Sequence, residues 1–198
     1  MTVSKHNHYY NHLRSRTALA SLYRNFLLYP KLHWYLHGKI LDIGCGLGDF
    51  LNYCKRAEGV DINPLAVEFC LSRGLSAHLM EKDTLPFKDS SFDSIVMDNV
   101  IEHIENPKKL LSEISRVLKV GGVLIIGVPG ALGFLSDPDH KIFYDEDSLT
   151  FLVEKFEFKR KDIFYMPIMK STWLSKSFRQ YCIYSIFIKI ANNKKLFD

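Results

Sequence analysis

The sequence predicts an α/β fold in which a parallel sheet carries helices on both faces, and two observations support this. Short apolar, strand-like segments alternate with helical patterns along the chain, which is typical of βαβ units. In addition, residues 39–50 run from an apolar strand straight into three glycines on alternate positions and then into a helix. With 198 residues, of which 47% are hydrophobic, the chain suits one domain of this kind.

The glycine segment is the most informative part of the chain. Gly44, Gly46 and Gly48 allow a sharp turn and a close backbone approach to a ligand, and the helix that follows offers unpaired N–H groups to an anion. A dinucleotide-binding segment has the spacing GxGxxG, whereas this one is DxGxGxG, with Asp42 two residues before the first glycine. The segment therefore predicts a nucleotide-binding turn that is not of the dinucleotide type.

Capping residues predict where two of the helices begin and end. Asn63 and Pro64 predict a helix that closes near Gly74, since asparagine is a favoured N-cap and proline suits the first helical position. Asn106 and Pro107 repeat the pattern and predict a second helix. Its expected buried stripe is Leu110, Leu111, Ile114, Val117 and Leu118, and its expected stop is Gly121 and Gly122. Beyond residue 129 the expected order is loop, helix (about 146–155), strand (about 158–165), basic connector and strand (181–188).

Several segments that follow the glycine turn resemble a known family. Asp61 ends a strand-like segment nineteen residues after Asp42, and the segments 80–87, 91–104 and 118–126 come after it. In order and spacing, over about residues 38–130, the chain resembles the class I S-adenosylmethionine-dependent methyltransferases. The resemblance is greatest to the type 11 branch, which contains the ubiquinone and menaquinone C-methyltransferases and many small-molecule and sugar methyltransferases. It implies a Rossmann-like, mostly parallel seven-stranded sheet that ends in an antiparallel hairpin, and S-adenosylmethionine as the cofactor.

The resemblance also implies roles for individual residues. Asp42 supports the glycine loop, and residues 44–48 lie against the methionine part of the cofactor. Asp61 binds the ribose hydroxyls, Asp83 with Thr84 faces the adenine edge, and residues 99–103 line the methyl-transfer end. The implied cofactor-binding residues are Asp42, Gly44, Cys45, Gly46, Gly48, Asp61, Ile62, Asp83, Thr84 and Asn99.

Few catalytic residues are expected, because a methyl group on a sulfonium is already activated and the enzyme chiefly aligns donor and acceptor. A base is needed for a hydroxyl or a protonated amine, and histidine suits that task near neutral pH. His140, in a Pro-containing loop after the fifth strand and four residues before Tyr144, is the expected base, with Asp137 or Asp139 favouring its charged form. His103 is the second candidate. The alternatives are a solvated turn at His140 and a helix-start residue at His103.

No metal site is expected from the sequence. Asp98, Asp137, Asp139 and His140 offer suitable atoms, but the acids do not follow the order of the catechol-type branch, and acids in such turns usually serve the turn. The four cysteines show neither metal-type spacing nor a disulfide framework, which predicts reduced thiols in a cytoplasm. The N-terminal residues lack the pattern of a signal peptide, and no run approaches the length of a membrane span.

The acceptor is less well defined by the sequence. Amino-group DNA methyltransferases carry a DPPY-like or NPPY-like sequence after strand four, but residues 97–100 read MDNV and no Pro-Cys nucleophile is present, so a nucleic-acid acceptor is not expected. Residues 155–198 hold ten Lys or Arg against three Asp or Glu. Such a surplus suits an anionic acceptor, such as a nucleotide-linked sugar, or peripheral contact with an acidic membrane, and the alternative is a solvated face around the hairpin.

We expect a single methyltransferase domain over residues 1–198, with an N-terminal helical cap (1–37), a cofactor-binding core (38–130) and an acceptor-side region (131–198). The aromatic residues of the cap form either a lid or plain packing; they are Tyr9, Tyr10, Tyr23, Tyr29, Trp34 and Tyr35. The expected reaction is methyl transfer to oxygen or nitrogen of a small molecule or of a sugar in a surface-glycan precursor. The alternatives are a lipid-linked or quinone-type acceptor and a cofactor-binding regulator without catalysis. The acceptor atom, the oligomeric state and the pathway do not follow from the sequence.

Overall fold

The fold is built on seven strands within residues 18–191, the part of the chain that the computed structural model describes. The strands are β1 Ile40–Ile43, β2 Ala57–Asp61, β3 Ala77–Leu79, β4 Phe92–Asp98, β5 Leu118–Pro129, β6 Phe158–Met166 and β7 Cys182–Lys189. Their order across the sheet is β3-β2-β1-β4-β5-β7-β6. Strands β1 to β5 pair in parallel, and β7 is antiparallel to both β5 and β6. The predicted α/β fold and its final antiparallel hairpin are confirmed.

Helices cover both faces of this sheet. They are α1 Ala18–Tyr23, α2 Tyr29–Tyr35, α3 Asp49–Tyr53, α4 Pro64–Ser72, α5 Lys108–Val117, α6 Ala131–Leu135, α7 Glu146–Val153 and α8 Thr172–Ser177. A π-helical segment, Arg24–Leu28, joins α1 to α2, and short 3-10 helices form at Ile101–His103 and Glu154–Phe156. No helix within the described ranges is long and apolar enough to cross a membrane.

Two apolar clusters fill the space between the sheet and its helices. Successive side chains of a strand point to opposite faces, so Ile40 packs with α2, α3 and α4, whereas Leu41 packs with α5 and α7. All four residues of β1 are buried, as expected for a parallel strand that is covered on both faces. The sheet is therefore covered on both faces, and the loops at the carboxyl ends of its strands are left to form a site.

The cap at Asn63 is confirmed, but the predicted limits of the next helix are wrong. The Asn63 side chain accepts a hydrogen bond from the Leu65 N–H at 3.1 Å. The second helix begins at Lys108, one residue after Pro107, and Asn106 does not cap it. It ends at Val117, because Leu118 pairs with β4 and its carbonyl accepts a hydrogen bond from Nζ of Lys189 at 2.9 Å. The expected stop at residues 121–122 therefore lies inside β5.

The region after β5 holds two short helices that were not predicted. The loop contains α6, and the basic connector contains α8, whose N-cap Ser171 accepts a hydrogen bond from the Leu174 N–H at 3.1 Å. The helix predicted at 146–155 is present as α7 and the 3-10 helix that follows it. Of the expected N-terminal cap, Tyr9 and Tyr10 lie outside the described residues, as do Lys194 and Lys195 of the basic region.

Candidate active site

The glycine turn follows β1 and has the backbone conformation that its sequence predicts. Gly44, Gly46 and Gly48 have φ angles of +75°, +52° and +76°, which side chains disfavour. A Cβ atom on Gly44 would collide with Cγ2 of Val100, and one on Gly48 would lie 2.6 Å from Cδ1 of Leu75. A ligand can therefore approach the backbone of the turn closely. Gly44 and Gly48 cannot be replaced by larger residues without a collision.

Asp61, at the end of β2, holds the glycine turn in place. Its Oδ2 accepts a hydrogen bond from the Gly46 N–H at 2.9 Å, and its Oδ1 accepts one from the Asn63 N–H at 2.8 Å. The residue is only 3% exposed. A carboxylate accepts about four hydrogen bonds, so these two bonds are compatible with a further contact to ribose hydroxyls. That contact stays a prediction, as does a role for the neighbouring Ile62.

Asp83 carries a buried acceptor atom. Its Oδ1 has no hydrogen-bond partner among the described residues, whereas Thr84 beside it is exposed and bridges to Glu81. Leaving a buried polar atom unsatisfied costs about 1–3 kcal/mol. A ligand N–H group at this position would remove that cost, which is the interaction that the amino group of an adenine ring offers.

A polar pocket opens between the glycine turn, the end of β4 and the N-terminal helices. Its lining residues are Arg24, Tyr29, Leu32, Asp42, Gly44, Cys45, Gly46, Asp49, Phe50, Val96, Asp98 and Asn99. Five of the predicted cofactor-binding residues are therefore in the wall: Asp42, Gly44, Cys45, Gly46 and Asn99.

Arg24 is a pocket residue that the sequence analysis missed. Its Nη1 lies 3.4 Å from Oδ2 of Asp98 and 3.5 Å from the Tyr29 hydroxyl. It belongs to the π-helical segment Arg24–Leu28, and such segments are frequent at functional sites. In the sequence, Arg24 is a single cation before an apolar stretch and lies far from every motif. That pattern does not indicate a pocket residue.

Acidic groups dominate the electrostatics of this pocket. Tyr184 and Asn99 both donate hydrogen bonds to Oδ1 of Asp98 at 2.8 Å, which leaves Oδ2 to face Arg24. Burial, together with the nearby Asp98 and Asp61, raises the pKa of Asp42 to about 8. A cationic group of a ligand would interact favourably with the Asp98 carboxylate and would favour the ionised form of Asp42. The Arg24 guanidinium favours an anionic group, so the pocket suits a ligand that carries both charges.

A second polar cluster lies just beyond the pocket, on residues 99–103 and the loop after α6. Glu102 is fully buried, and neither of its carboxylate oxygens makes a hydrogen bond within the described part of the chain. Burial, with Asp98 and Asp137 nearby, raises the pKa of Glu102 to about 8. Its backbone carbonyl accepts hydrogen bonds from the N–H groups of Lys141 and Ile142 at 2.7 and 3.1 Å, which ties the loop to this segment.

His140 faces Glu102 inside this cluster. Its Nδ1 lies 2.8 Å from the Phe134 carbonyl oxygen, and its Nε2 lies 3.8 Å from Oε1 of Glu102 and 3.9 Å from Oδ2 of Asp137. The side chain is 8% exposed, which excludes the alternative of a solvated turn for this residue. Of the two acids expected beside it, Asp137 contributes its carboxylate.

His103 and Tyr144 complete the cluster. The ring centroids of His103 and His140 are 4.6 Å apart, and Nδ1 of His103 lies 3.4 Å from the Asp139 carbonyl oxygen. Burial and the neighbouring His140 lower the pKa of His103, and burial and Glu102 raise the pKa of Tyr144. His103 and His140 thus come together, and Tyr144 lies close enough to Glu102 for the charge of Glu102 to act on its phenol. None of the three predicted catalytic residues is among those that line the pocket.

Comparisons with known proteins agree with this geometry. A family model described as a methyltransferase domain matches residues 41–126. An uncharacterised protein of Methanocaldococcus jannaschii is 40% identical over 98 residues, which are 50% of this chain and 48% of that protein. The human protein named probable tRNA methyltransferase 9B is 36% identical over 94 residues, 45% of this chain and 21% of its own length.

The same fold occurs in solved structures. A crystal structure from Thermotoga maritima, titled a SAM-dependent methyltransferase and possible histamine N-methyltransferase, superposes with a TM-score of 0.70 at 23% identity. The superposition covers 86% of this chain and 91% of that one. By contrast, the chain spans about half the length of the first curated relatives that it matches, 48% and 59%.

Proposed function

We propose that this chain is a class I S-adenosylmethionine-dependent methyltransferase and that it transfers a methyl group to oxygen or nitrogen of a small molecule or a sugar; the methyltransferase-domain match over residues 41–126 supports the first part. The observation that carries the proposal is the glycine turn, with its three left-handed glycines bound through Gly46 to the buried Asp61. When bound, S-adenosylmethionine supplies an activated methyl group, so the residues of the chain have to orient the two reactants and exclude water.

The cofactor half of the proposal assigns each pocket residue a contact. The backbone of the turn approaches the methionine part, where a Cβ on Gly44 has no room beside Val100. Asp61 binds the ribose hydroxyls, and the unpartnered Oδ1 of Asp83 accepts from the adenine amino group. Both assignments follow from the donors that the ligand offers to these acceptors.

Arg24 adds a contact that recognises the amino-acid end of the cofactor. A guanidinium binds a carboxylate with charge-assisted hydrogen bonds, and Arg24 already stands in the pocket wall beside Asp98. The Asp98 carboxylate is then left to favour the positive ammonium and sulfonium groups, whose charge would in turn favour the ionised form of Asp42. This division supports a role in the site for residues 18–37, the described part of the cap proposed over residues 1–37.

The acceptor half of the proposal centres on residues 99–103 and His140. Asn99 lines the pocket, and Glu102 and His103 follow it three and four residues later in the chain. The segment 99–103 therefore runs from the cofactor pocket to the cluster that these two residues form with His140. This continuity supports an acceptor position between the two sites. His140 is proposed to act on the acceptor hydroxyl proton, and residues 131–198 to form the acceptor side.

A methyl-transfer assay tests the proposed reaction. The protein is incubated with S-adenosylmethionine that carries a labelled methyl group and with separate pools of sugar nucleotides, small amines, phenols, quinone precursors and tRNA. The expected result is label in a sugar or small-molecule pool, abolished by Gly44→Ala and retained by Gly74→Ala. Label in the tRNA pool alone would contradict the proposed acceptor, and cofactor binding without transfer to any pool would favour the non-catalytic alternative.

One observation favours a second candidate, a lipid-linked acceptor. Ile168, Met169 and Trp173 are 71%, 61% and 70% exposed, and Lys170, Lys176 and Arg179 lie among them in the connector around α8. Exposed apolar side chains with interspersed cations suit an anionic lipid surface. Co-sedimentation with anionic but not neutral vesicles is the expected result for this candidate, and no co-sedimentation at low salt would remove it.

A further inference from the structure

We propose that Glu102, His103 and His140 bind a divalent transition-metal ion beside the acceptor end of the pocket. One potential ligand atom from each residue lies within 4.8 Å of the other two. Two imidazole nitrogens with one carboxylate suit ions such as Zn²⁺, Mn²⁺ or Co²⁺, whereas Mg²⁺ and Ca²⁺ prefer oxygen ligands. This proposal departs from the expectation of no metal site, which considered acids in turns and did not include Glu102.

The burial of Glu102 is the first argument for an ion. The residue is fully buried, and both carboxylate oxygens lack a hydrogen-bond partner among the described residues. A proton shared with His140 does not account for this, because 3.8 Å between Nε2 and Oε1 exceeds the length of an N–H···O bond, about 3.2 Å. An ion between these atoms would satisfy the carboxylate without such a bond.

The tautomers of the two histidines are the second argument. A carbonyl oxygen only accepts hydrogen bonds, so Nδ1 of His140, 2.8 Å from the Phe134 carbonyl oxygen, carries a hydrogen, and in the neutral imidazole Nε2 then keeps its lone pair. His103 turns its Nδ1 toward the Asp139 carbonyl oxygen at 3.4 Å, a longer and weaker contact that favours the same tautomer. Metal-binding histidines are typically oriented in this way by a carbonyl at the other ring nitrogen. Ligand atoms at about 2.1 Å from one ion lie about 3.0–3.4 Å apart, so the atoms of this cluster, which lie within 4.8 Å of one another, would have to approach by up to about 1.4–1.8 Å.

Asp137 is a further neighbour of the cluster and is partly exposed to solvent. Oδ2 of Asp137 lies 3.9 Å from Nε2 of His140, and the Asp137 side chain is 33% exposed. Three protein ligands with a position left for water or substrate are the usual arrangement of a catalytic metal site. The site is therefore built to take an acceptor oxygen as the remaining ligand.

The role of the ion rests on the proposed function. An acceptor hydroxyl bound to the ion becomes more acidic and loses its proton to Asp137. Its oxygen then forms a bond to the methyl carbon while the carbon–sulfur bond breaks, and the electron pair of that bond stays on sulfur as a neutral thioether. Under this inference Nε2 of His140 is a metal ligand, so the residue acts on the acceptor proton through the ion and not as a free base.

Calorimetric titration of the metal-free protein with Zn²⁺ and Mn²⁺, without cofactor, tests the site. We expect one ion per chain, with affinity lowered by Glu102→Gln and by His140→Gln at least as much as the loss of a partner behind a ligand lowers it, about tenfold to a hundredfold. His103→Gln, at a less buried position, serves as a third variant if the other two fail to fold. Co²⁺ provides a second readout, because its visible absorption reports the ligands and should change in each variant.

Two controls keep the result specific. His78 pairs with Glu58 on the surface, with Nε2 3.3 Å from Oε2, and His78→Gln should leave the affinity unchanged. The triple variant His6→Gln, His8→Gln and His12→Gln removes three histidines that stand close together in the sequence, and it should also bind as the wild type does. No binding by the wild type, or an equal loss in either control, would overturn the inference. Metal binding is measured here without cofactor, and cofactor binding is measured in a separate titration. A failure of the metal site is therefore distinguishable from a failure of the proposed function.

Discussion

Arg24 and Asp98 form an ion pair in the pocket wall, although 74 positions separate them in the sequence. Nη1 of Arg24 lies 3.4 Å from Oδ2 of Asp98. Asp98 ends the fourth strand of the parallel sheet, whereas Arg24 comes from the π-helical segment that precedes the first strand. The N-terminal helices are thus part of the site and not only a covering of the sheet.

Replacing Arg24 should weaken binding of the amino-acid end of the cofactor. Loss of a charge-assisted hydrogen bond costs about 1.5–3 kcal/mol, so Arg24→Met should lower the affinity for S-adenosylhomocysteine about tenfold or more. Methylthioadenosine has no carboxylate and provides the matched ligand, whose affinity should change little. Arg24→Lys should retain part of the effect. Equal losses for both ligands would mean that Arg24 only supports the fold of the pocket.

Gly44→Ala should abolish cofactor binding, because φ at this position is +75° and the new Cβ would collide with Val100. Gly74→Ala is the matched control, since its φ is +71° but no atom lies within 4 Å of the added Cβ. Both variants carry similar backbone strain, of about 1 kcal/mol, and differ only in the collision. Binding assays and thermal melts separate the two effects. Adding Val100→Ala to Gly44→Ala should restore part of the binding, and equal binding by the two single variants would contradict this account of the turn.

The ionisation of Asp42 should make the free energy of unfolding depend on pH. The folded-state pKa of about 8 lies above the model-compound value of 3.8, so the unfolded chain loses this proton first as the pH rises. Wild-type stability should therefore fall relative to Asp42→Asn between about pH 4 and 8, by at most about 1.4 kcal/mol per pH unit, and the gap should stay constant above that range. Denaturant unfolding at several pH values measures the gap. The control Asp147→Asn, at a side chain that is 98% exposed, should show no such trend.

The basic connector should act on the acceptor and not on the cofactor. Lys170→Glu, Lys176→Glu and Arg179→Glu together should leave cofactor affinity nearly unchanged and weaken binding of an anionic acceptor or vesicle in a salt-dependent way. Lys170 lies 2.7 Å from Glu146, so its contribution is already partly neutralised. Charge reversal of the exposed Lys88, Lys108 and Lys109 is the matched control. Acceptor affinity that stays unaltered at low salt would leave the connector as a solvated surface.

Features that depend on a short segment of the chain could be predicted from the sequence, whereas features that depend on distant residues could not. The glycine turn, the Asn63 cap and the final hairpin follow from short segments, and these predictions are confirmed. The end of α5 was misjudged because a strand pairing and the distant Lys189 decide it. Arg24 and Glu102 were overlooked as individual candidates for the same reason. Their surroundings are formed by residues far along the chain, and a carboxyl that is buried without a partner has no signature in sequence.

The most direct test of the central claim is a calorimetric titration of the protein with S-adenosylmethionine and S-adenosylhomocysteine, alongside Asp61→Ala. Loss of a charge-assisted contact to the ribose costs about 1.5–3 kcal/mol, so this variant should bind both ligands about tenfold more weakly or worse. We predict one cofactor per wild-type chain and no comparable binding of a nicotinamide dinucleotide. A wild-type protein that binds neither cofactor form, or that binds the dinucleotide more tightly, would contradict the account.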